Sequence, residues 1–197
     1  IDIAKKISSK KFDIKNLYNK YSWSGKKISQ KNYIVVLQHP VTDEIDLAGQ
    51  QISITLNVIK ELNLPTFIFW PNIDNGTDEI SSQIRRFKDK NTDSYISYFK
   101  SLDSEDFLSL INESILFLGN SSVGIRESSF LGVPVVNIGT RQKLRDRAEN
   151  IIDVDHNFEK IIYACNEQIS RGKYPSSTLY GSGDSGKKIA LKINEII

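Results

Sequence analysis

Six short apolar runs alternate with six helical stretches from residue 32 onward. No other feature of the chain restricts its fold as tightly. The runs cover residues 33–37, 66–70, 95–99, 115–118, 133–138 and 151–154, the third being the weakest. Each is bounded by polar or turn residues, and the first carries the β-branched trio Ile34, Val35 and Val36. Runs of this length and near-continuous apolarity predict strands buried on both faces. Between them, residues 47–62 place Ile52, Leu56, Ile59 and Leu62 at helical spacing, and Asn63 and Pro65 stop the helix. Residues 80–88, 104–112, 123–131, 158–169 and 187–197 also read as helices. Strand and helix alternating in this way predict an α/β fold, a Rossmann-like doubly wound parallel sheet with helices on both faces.

Residues 1–31 lack this pattern. They are rich in Lys, Ser and Asn, with pairs at Lys10–Lys11 and Lys26–Lys27, and hold one short helical stretch near residues 14–21. They read as a linker leading into a single domain over residues 32–197. The chain has 197 residues, no methionine and Ile1 as its first residue, which fits a fragment of a longer protein or else ordinary trimming of a short start. With 26 basic and 24 acidic residues the net charge is only +2, so the basic stripe of a nucleic-acid binder is not expected. No apolar run approaches the ~20 residues of a membrane span, and the charged first residues are unlike a signal peptide. The one cysteine, Cys165, permits no internal disulfide and fits a cytoplasmic protein. Neither a metal site nor a cofactor is expected.

In an open parallel sheet, ligands bind beyond the carboxyl ends of the strands. The segments there are Gln38-His39-Pro40-Val41-Thr42, Pro71-Asn72-Ile73-Asp74, Lys100-Ser101-Leu102, Gly119-Asn120-Ser121-Ser122-Val123-Gly124 and Gly139-Thr140-Arg141-Gln142. Small, polar and basic groups gathered at one edge suit a polar, anionic ligand. The fourth segment is the sharpest. Its two glycines bracket Asn120, Ser121 and Ser122 at the start of a helix, where free N–H groups and the helix dipole hold an anion. Equally, one of the serines serves as an N-cap. The segment is neither a dinucleotide fingerprint nor a P-loop. Glu127, one and a half turns on, is placed to accept hydrogen bonds from vicinal ribose hydroxyls, or else is a solvent-facing helix residue. His39, held extended by Pro40, is aimed at the ligand edge or is structural. Arg141 suits a phosphate or the base end of a nucleotide. His156 has no such context and reads as a surface residue, and Arg147 reads as part of an ion pair holding its loop.

Residues 119–127, then Gly132-Val-Pro-Val-Val-Asn-Ile-Gly-Thr-Arg-Gln142, Arg145 and Glu149-Asn150, resemble the UDP-N-acetylglucosamine 2-epimerases. The resemblance runs from about Asn32 to the end and includes Tyr180-Gly181. It implies one half, the carboxyl-terminal half, of a GT-B arrangement of two Rossmann-like domains. Gln38-His39-Pro40-Val41-Thr42 and Pro71-Asn72-Ile73-Asp74 resemble the hydrolysing branch, which starts sialic acid synthesis. The His-Arg-Arg-Glu-Asn run usual in the non-hydrolysing branch is absent.

The resemblance implies binding of UDP and UDP-N-acetylglucosamine. Glu127 is expected on the ribose and Ser121 and Ser122 on the diphosphate, within the segment from Asn120 to Gly124. His39, Asn72 and Arg141 are expected to line the nucleotide-sugar cleft, and the backbone near Ser101 to touch uracil. The implied reaction eliminates UDP with loss of the sugar C2 proton, then adds water to give N-acetylmannosamine, with His39 helping the departing diphosphate. The acid/base carboxylates are expected in an amino-terminal domain of the same protein, so the fragment alone is expected to be inactive. The full-length protein is expected to be a homo-oligomer. The competing expectations are a non-hydrolysing 2-epimerase, a bacillosamine-type UDP-sugar 2-epimerase, half of a GT-B glycosyltransferase, and a non-catalytic nucleotide-sugar sensor.

Overall fold

The computed structural model describes residues 1–197 apart from Lys11, Gln30, Asp93, Ser94 and Ile197. Six parallel strands follow the alternation read above: β2 (Ile34–Leu37), β3 (Thr66–Phe69), β4 (Ile96–Phe99), β5 (Leu116–Gly119), β6 (Val135–Ile138) and β7 (Ile151–Val154). A seventh, β1 (Trp23–Gly25), pairs antiparallel with β4 at the edge, Trp23 opposite Phe99. The order is β1-β4-β3-β2-β5-β6-β7. Without β1 the parallel strands therefore run third, second, first, fourth, fifth, sixth, the doubly wound order. The direction of winding reverses between β2 and β5, where Leu37 lies opposite Gly119.

The strands are apolar throughout because both faces are covered. Alternate residues of β2 divide between two cores. Ile34 and Val36 join Ile52, Leu56 and Ile59 of α3 (Ala48–Leu62), Ile80 and Ile84 of α4 (Thr77–Lys90), and Ile161 of α8 (Phe158–Arg171). Val35 and Leu37 face the opposite core with Phe67, Phe99, Phe117 and Leu110, the last on α5 (Ser104–Asn112). Helix ends follow local chemistry. Asn63 closes α3 in the left-handed conformation, as Asn tolerates. Asp103 caps α5 through Asp106 N, and Asn157 caps α8 through Lys160 N.

Residues 1–31 depart from the linker reading. They form α1 (Asp2–Ile7), α2 (Ile14–Lys20) and β1, and they bury Ala4, Ile7, Leu17 and Ile28. The Tyr18 hydroxyl accepts from Ile28 N at 2.7 Å and lies 2.8 Å from Ser97 Oγ on β4. Long-range partners and a three-residue edge strand hold this stretch, and neither leaves a periodic trace in sequence. The expected helix over residues 123–131 is two short helices, α6 (Ser122–Ile125) and α7 (Glu127–Leu131), turning at Arg126. The last helix, α9, spans Ser185–Asn194, and Asp2 accepts hydrogen bonds from its Ser185 and Gly186 N–H groups. Ile197, the expected end of that helix, and Lys11 lie outside the described residues.

Candidate functional site at the strand carboxyl edge

The crevice between β2 and β5 is built around Asn120. Its Oδ1 accepts from His39 N at 2.7 Å, and its Nδ2 donates to His39 O at 2.8 Å. Its own N–H donates to Leu37 O at 3.2 Å. The preceding Gly119 has φ +139°, and a Cβ there would fall 2.1 Å from Leu37 O, so only glycine lets the two strand ends close. The Asn120 carbonyl accepts from Gln142 Nε2 at 2.8 Å and from Arg141 Nη1 at 3.4 Å. One residue thus joins the loops after β2, β5 and β6. Asn120 is fully buried with both ends of its amide engaged, so the structure gives it a positioning part rather than a side chain free for ligand.

The His39 ring is buried at the crevice rather than exposed to solvent. The residue is only 4% exposed, and Nδ1 accepts from Asn72 N at 3.5 Å. Burial, then the nearby Arg141 charge, lowers its pKa to about 4 against the opposing pull of Asp74. At neutral pH the ring is therefore uncharged, and with Nδ1 accepting, its proton sits on Nε2 as a donor.

Ser121 stands at the N-cap position of α6 with extended backbone, yet its hydroxyl makes no capping bond. Ser122, the first residue of α6, is half-buried. Gly124 departs from the ligand reading. It lies on the sheet side of α6, where a Cβ would meet Phe117 Cδ1 at 2.9 Å and Val135 Cγ1 at 3.3 Å. Its smallness serves close packing of helix on sheet.

The remaining residues open into separate hollows. Arg141, half-buried, faces one of about 730 Å³ with Pro40, Thr42, Asp43, Glu44 and Asp74. Asn72 and Ser101 share another of about 840 Å³ with Trp23, Trp70, Arg85 and Lys100. Glu127 opens α7 with its side chain 20% exposed, its Oε1 3.9 Å from Arg126 Nη2. It borders a third hollow of about 510 Å³ with Ser104, Phe107, Val123 and Asp2.

Arg147 does hold its loop, through Asp153 Oδ2 at 2.8 Å, Arg145 O and Gln142 O. His156 is half-buried rather than a surface residue. Its ring packs on Gly139, and among the described residues neither ring nitrogen has a hydrogen-bond partner. Sequence reading assigned Gln142 no role beyond its place in the segment after the fifth run, and assigned Glu44 none; Gln142 is buried beside Asn120, and the Glu44 carboxylate reaches the loop after β6. Their partners lie 22 and 96 residues away, so no local signal marks them. Among the described residues, no helix is long and apolar enough to cross a membrane, and no cluster of three or more His, Cys, Asp or Glu side chains is placed to hold a metal.

Fold and crevice define a Rossmann-like α/β domain whose polar groups meet at the topological switch point. A family profile described as UDP-N-acetylglucosamine 2-epimerase matches residues 3–194, and the chain belongs to that family. It is 31% identical over 158 residues to the UDP-N,N'-diacetylbacillosamine 2-epimerase (hydrolyzing) of Legionella pneumophila, covering 80% of this chain and 41% of the relative. It is 32% identical over 155 residues to the UDP-N-acetylglucosamine 2-epimerase of Neisseria meningitidis, covering 79% and 40%. The chain therefore spans about two-fifths of the length of these relatives. Its fold is similar to the Methanocaldococcus jannaschii UDP-GlcNAc 2-epimerase solved in complex with UDP-GlcNAc and UDP, with TM-score 0.65, 18% identity, and coverage of 98% of this chain and 53% of that one. This is the Rossmann-like half of the GT-B arrangement expected from the sequence.

Proposed function

We propose that this chain is the carboxyl-terminal, UDP-binding half of a hydrolysing UDP-N-acetylglucosamine 2-epimerase. The observation that carries the reading is the convergence, on one crevice in a member of this family, of an uncharged His39, the Arg141 guanidinium and the serines opening α6. In this reading Ser121, Ser122 and Arg141 hold the diphosphate and Glu127 accepts from the ribose hydroxyls. Asn72 lines the cleft, and the backbone at Ser101 meets the base. UDP departs as the sugar loses its C2 proton, and water then adds to the glycal. Negative charge grows on the β-phosphate as the C1–O bond breaks, and the His39 Nε2–H donates to it most strongly at that point. The C2 base is a carboxylate of the other half. The bare apolar residues Ile189 and Ile193, one turn apart on α9, suit contact with that half.

The hydrolysing branch is supported by the Legionella relative's name and by Gln38-His39-Pro40-Val41-Thr42 standing where the other branch carries its basic run. That same relative favours a second reading, in which the sugar is a diacetamido one. Full-length protein incubated with UDP-N-acetylglucosamine and no acceptor tests the proposal. N-acetylmannosamine and free UDP are expected in equal amounts. UDP-N-acetylmannosamine as product would overturn the branch, and turnover of UDP-N,N'-diacetylbacillosamine alone would select the second sugar.

A further inference from the structure

Glu44 lies in the 3-10 segment Thr42–Leu47 that follows His39-Pro40, at φ −130° and ψ 25°, where the segment departs from helical geometry. Its Oε2 accepts from Gln51 Nε2 of α3 at 2.6 Å, and Gln51 is buried. Its Oε1 accepts from the hydroxyl of Thr140, the residue directly before Arg141. The Thr140 bond, then the Gln51 bond, hold the Glu44 carboxyl below its ordinary pKa, so it is ionised at neutral pH and both bonds are charge-assisted. On the far side of Arg141 the loop is held by Gln142, whose Nε2 donates to Asn120 O at 2.8 Å, whereas Arg141 itself reaches that oxygen only at 3.4 Å. The strands beneath are fixed independently. β2 pairs β5 and β5 pairs β6 in unbroken register, and Glu44 belongs to neither hydrophobic core.

We propose that Glu44 is a positioning residue: its carboxylate ties the loop after β6 to the loop after β2 and so sets where Arg141 stands relative to His39. This rests on the reading above, in which those two residues serve the departing diphosphate. Glu44 itself touches neither reacting group. It acts by adding a direct tie between two loops that Asn120 joins only through the loop after β5, at the edge where small displacements are costly to catalysis.

A double-mutant cycle on the full-length enzyme tests this. Glu44→Ala and Thr140→Val are each expected to lower kcat by roughly tenfold to a hundredfold, a larger loss than that in UDP affinity, with melting temperature nearly unchanged. The double variant is expected to be no worse than the poorer single one, because both remove the same tie. Glu44→Gln, which keeps an acceptor for Thr140, is expected to recover most of kcat. Multiplying losses, a kcat untouched by either change, or losses that follow melting temperature would overturn the proposal. A readout independent of turnover is available because the chain has only two histidines. By NMR, the His39 ring is expected to titrate closer to its ordinary value in Glu44→Ala, since Arg141 would no longer be held beside it. An unchanged His39 titration would also overturn the tie. If wild-type enzyme shows no epimerase activity, the functional reading falls, and the histidine titration still decides the role of Glu44.

Discussion

Asn120 Oδ1 lies 2.7 Å from His39 N and Asn120 Nδ2 lies 2.8 Å from His39 O, so one side chain closes both main-chain groups of a residue 81 positions away. Both partners are buried. Asn120→Ala would leave a buried donor and a buried acceptor unmet, and its stability is expected to fall by about 1–3 kcal/mol. Urea unfolding measures this. An unchanged midpoint and slope would show that the two loops do not depend on the amide.

Stability should also carry the mark of the His39 ring. The unfolded chain takes up the imidazole proton near pH 6.5, whereas the folded chain resists it down to about pH 4. The depressed value means that stability is full above pH 6.5 and is lost as pH falls toward 4, by on the order of 3 kcal/mol. Half-buried His156, lowered chiefly by its own burial, acts in the same direction. Denaturation across pH 4–7 should therefore be less steep in pH for His39→Asn than for wild type. Equal slopes would exclude the ring as the source.

The strands and most helices were legible because short apolar runs and 3.6-residue spacing are local signals. His39 was singled out in the sequence because it sits between a strand end and a proline. Its burial was not legible, because Asn72 N, which meets its ring, arrives from the next loop. The same holds for Trp23-Ser24-Gly25, three residues that become a strand only by pairing with β4. Ala4, Ile7 and Leu17 look like scattered apolar residues until α5 and the sheet supply their partners. Gly124 carried a misleading signal. A glycine after a strand suits an anion loop as well as helix–sheet packing, and the Phe117 ring decides for packing.

Gly124→Ala follows from that contact. The added methyl would press on Phe117 and Val135 from 2.9 and 3.3 Å, and the overpacking is expected to cost about 1–3 kcal/mol. UDP affinity of the folded fraction should hold. A loss of affinity without a loss of stability would return Gly124 to the ligand site.

If the proposed mechanism holds, His39→Ala in the full-length protein lowers kcat by about 10²–10⁴ with little change in UDP affinity, because in that mechanism its donor acts on charge that develops in the transition state. Melting of the same variant separates this from a structural role. A destabilised enzyme with kcat intact per folded molecule would remove His39 from the chemistry.

Calorimetric titration of UDP into this 197-residue chain tests the central claim most directly. Weak single-site binding is expected with no release of UDP from UDP-N-acetylglucosamine. Glu127→Ala is expected to weaken UDP by about 1.5–3 kcal/mol, the range for hydrogen bonds to a charged group, while leaving 2′,3′-dideoxy-UDP almost unaffected. Absence of UDP binding to the folded chain, or equal losses for both nucleotides, would contradict the account.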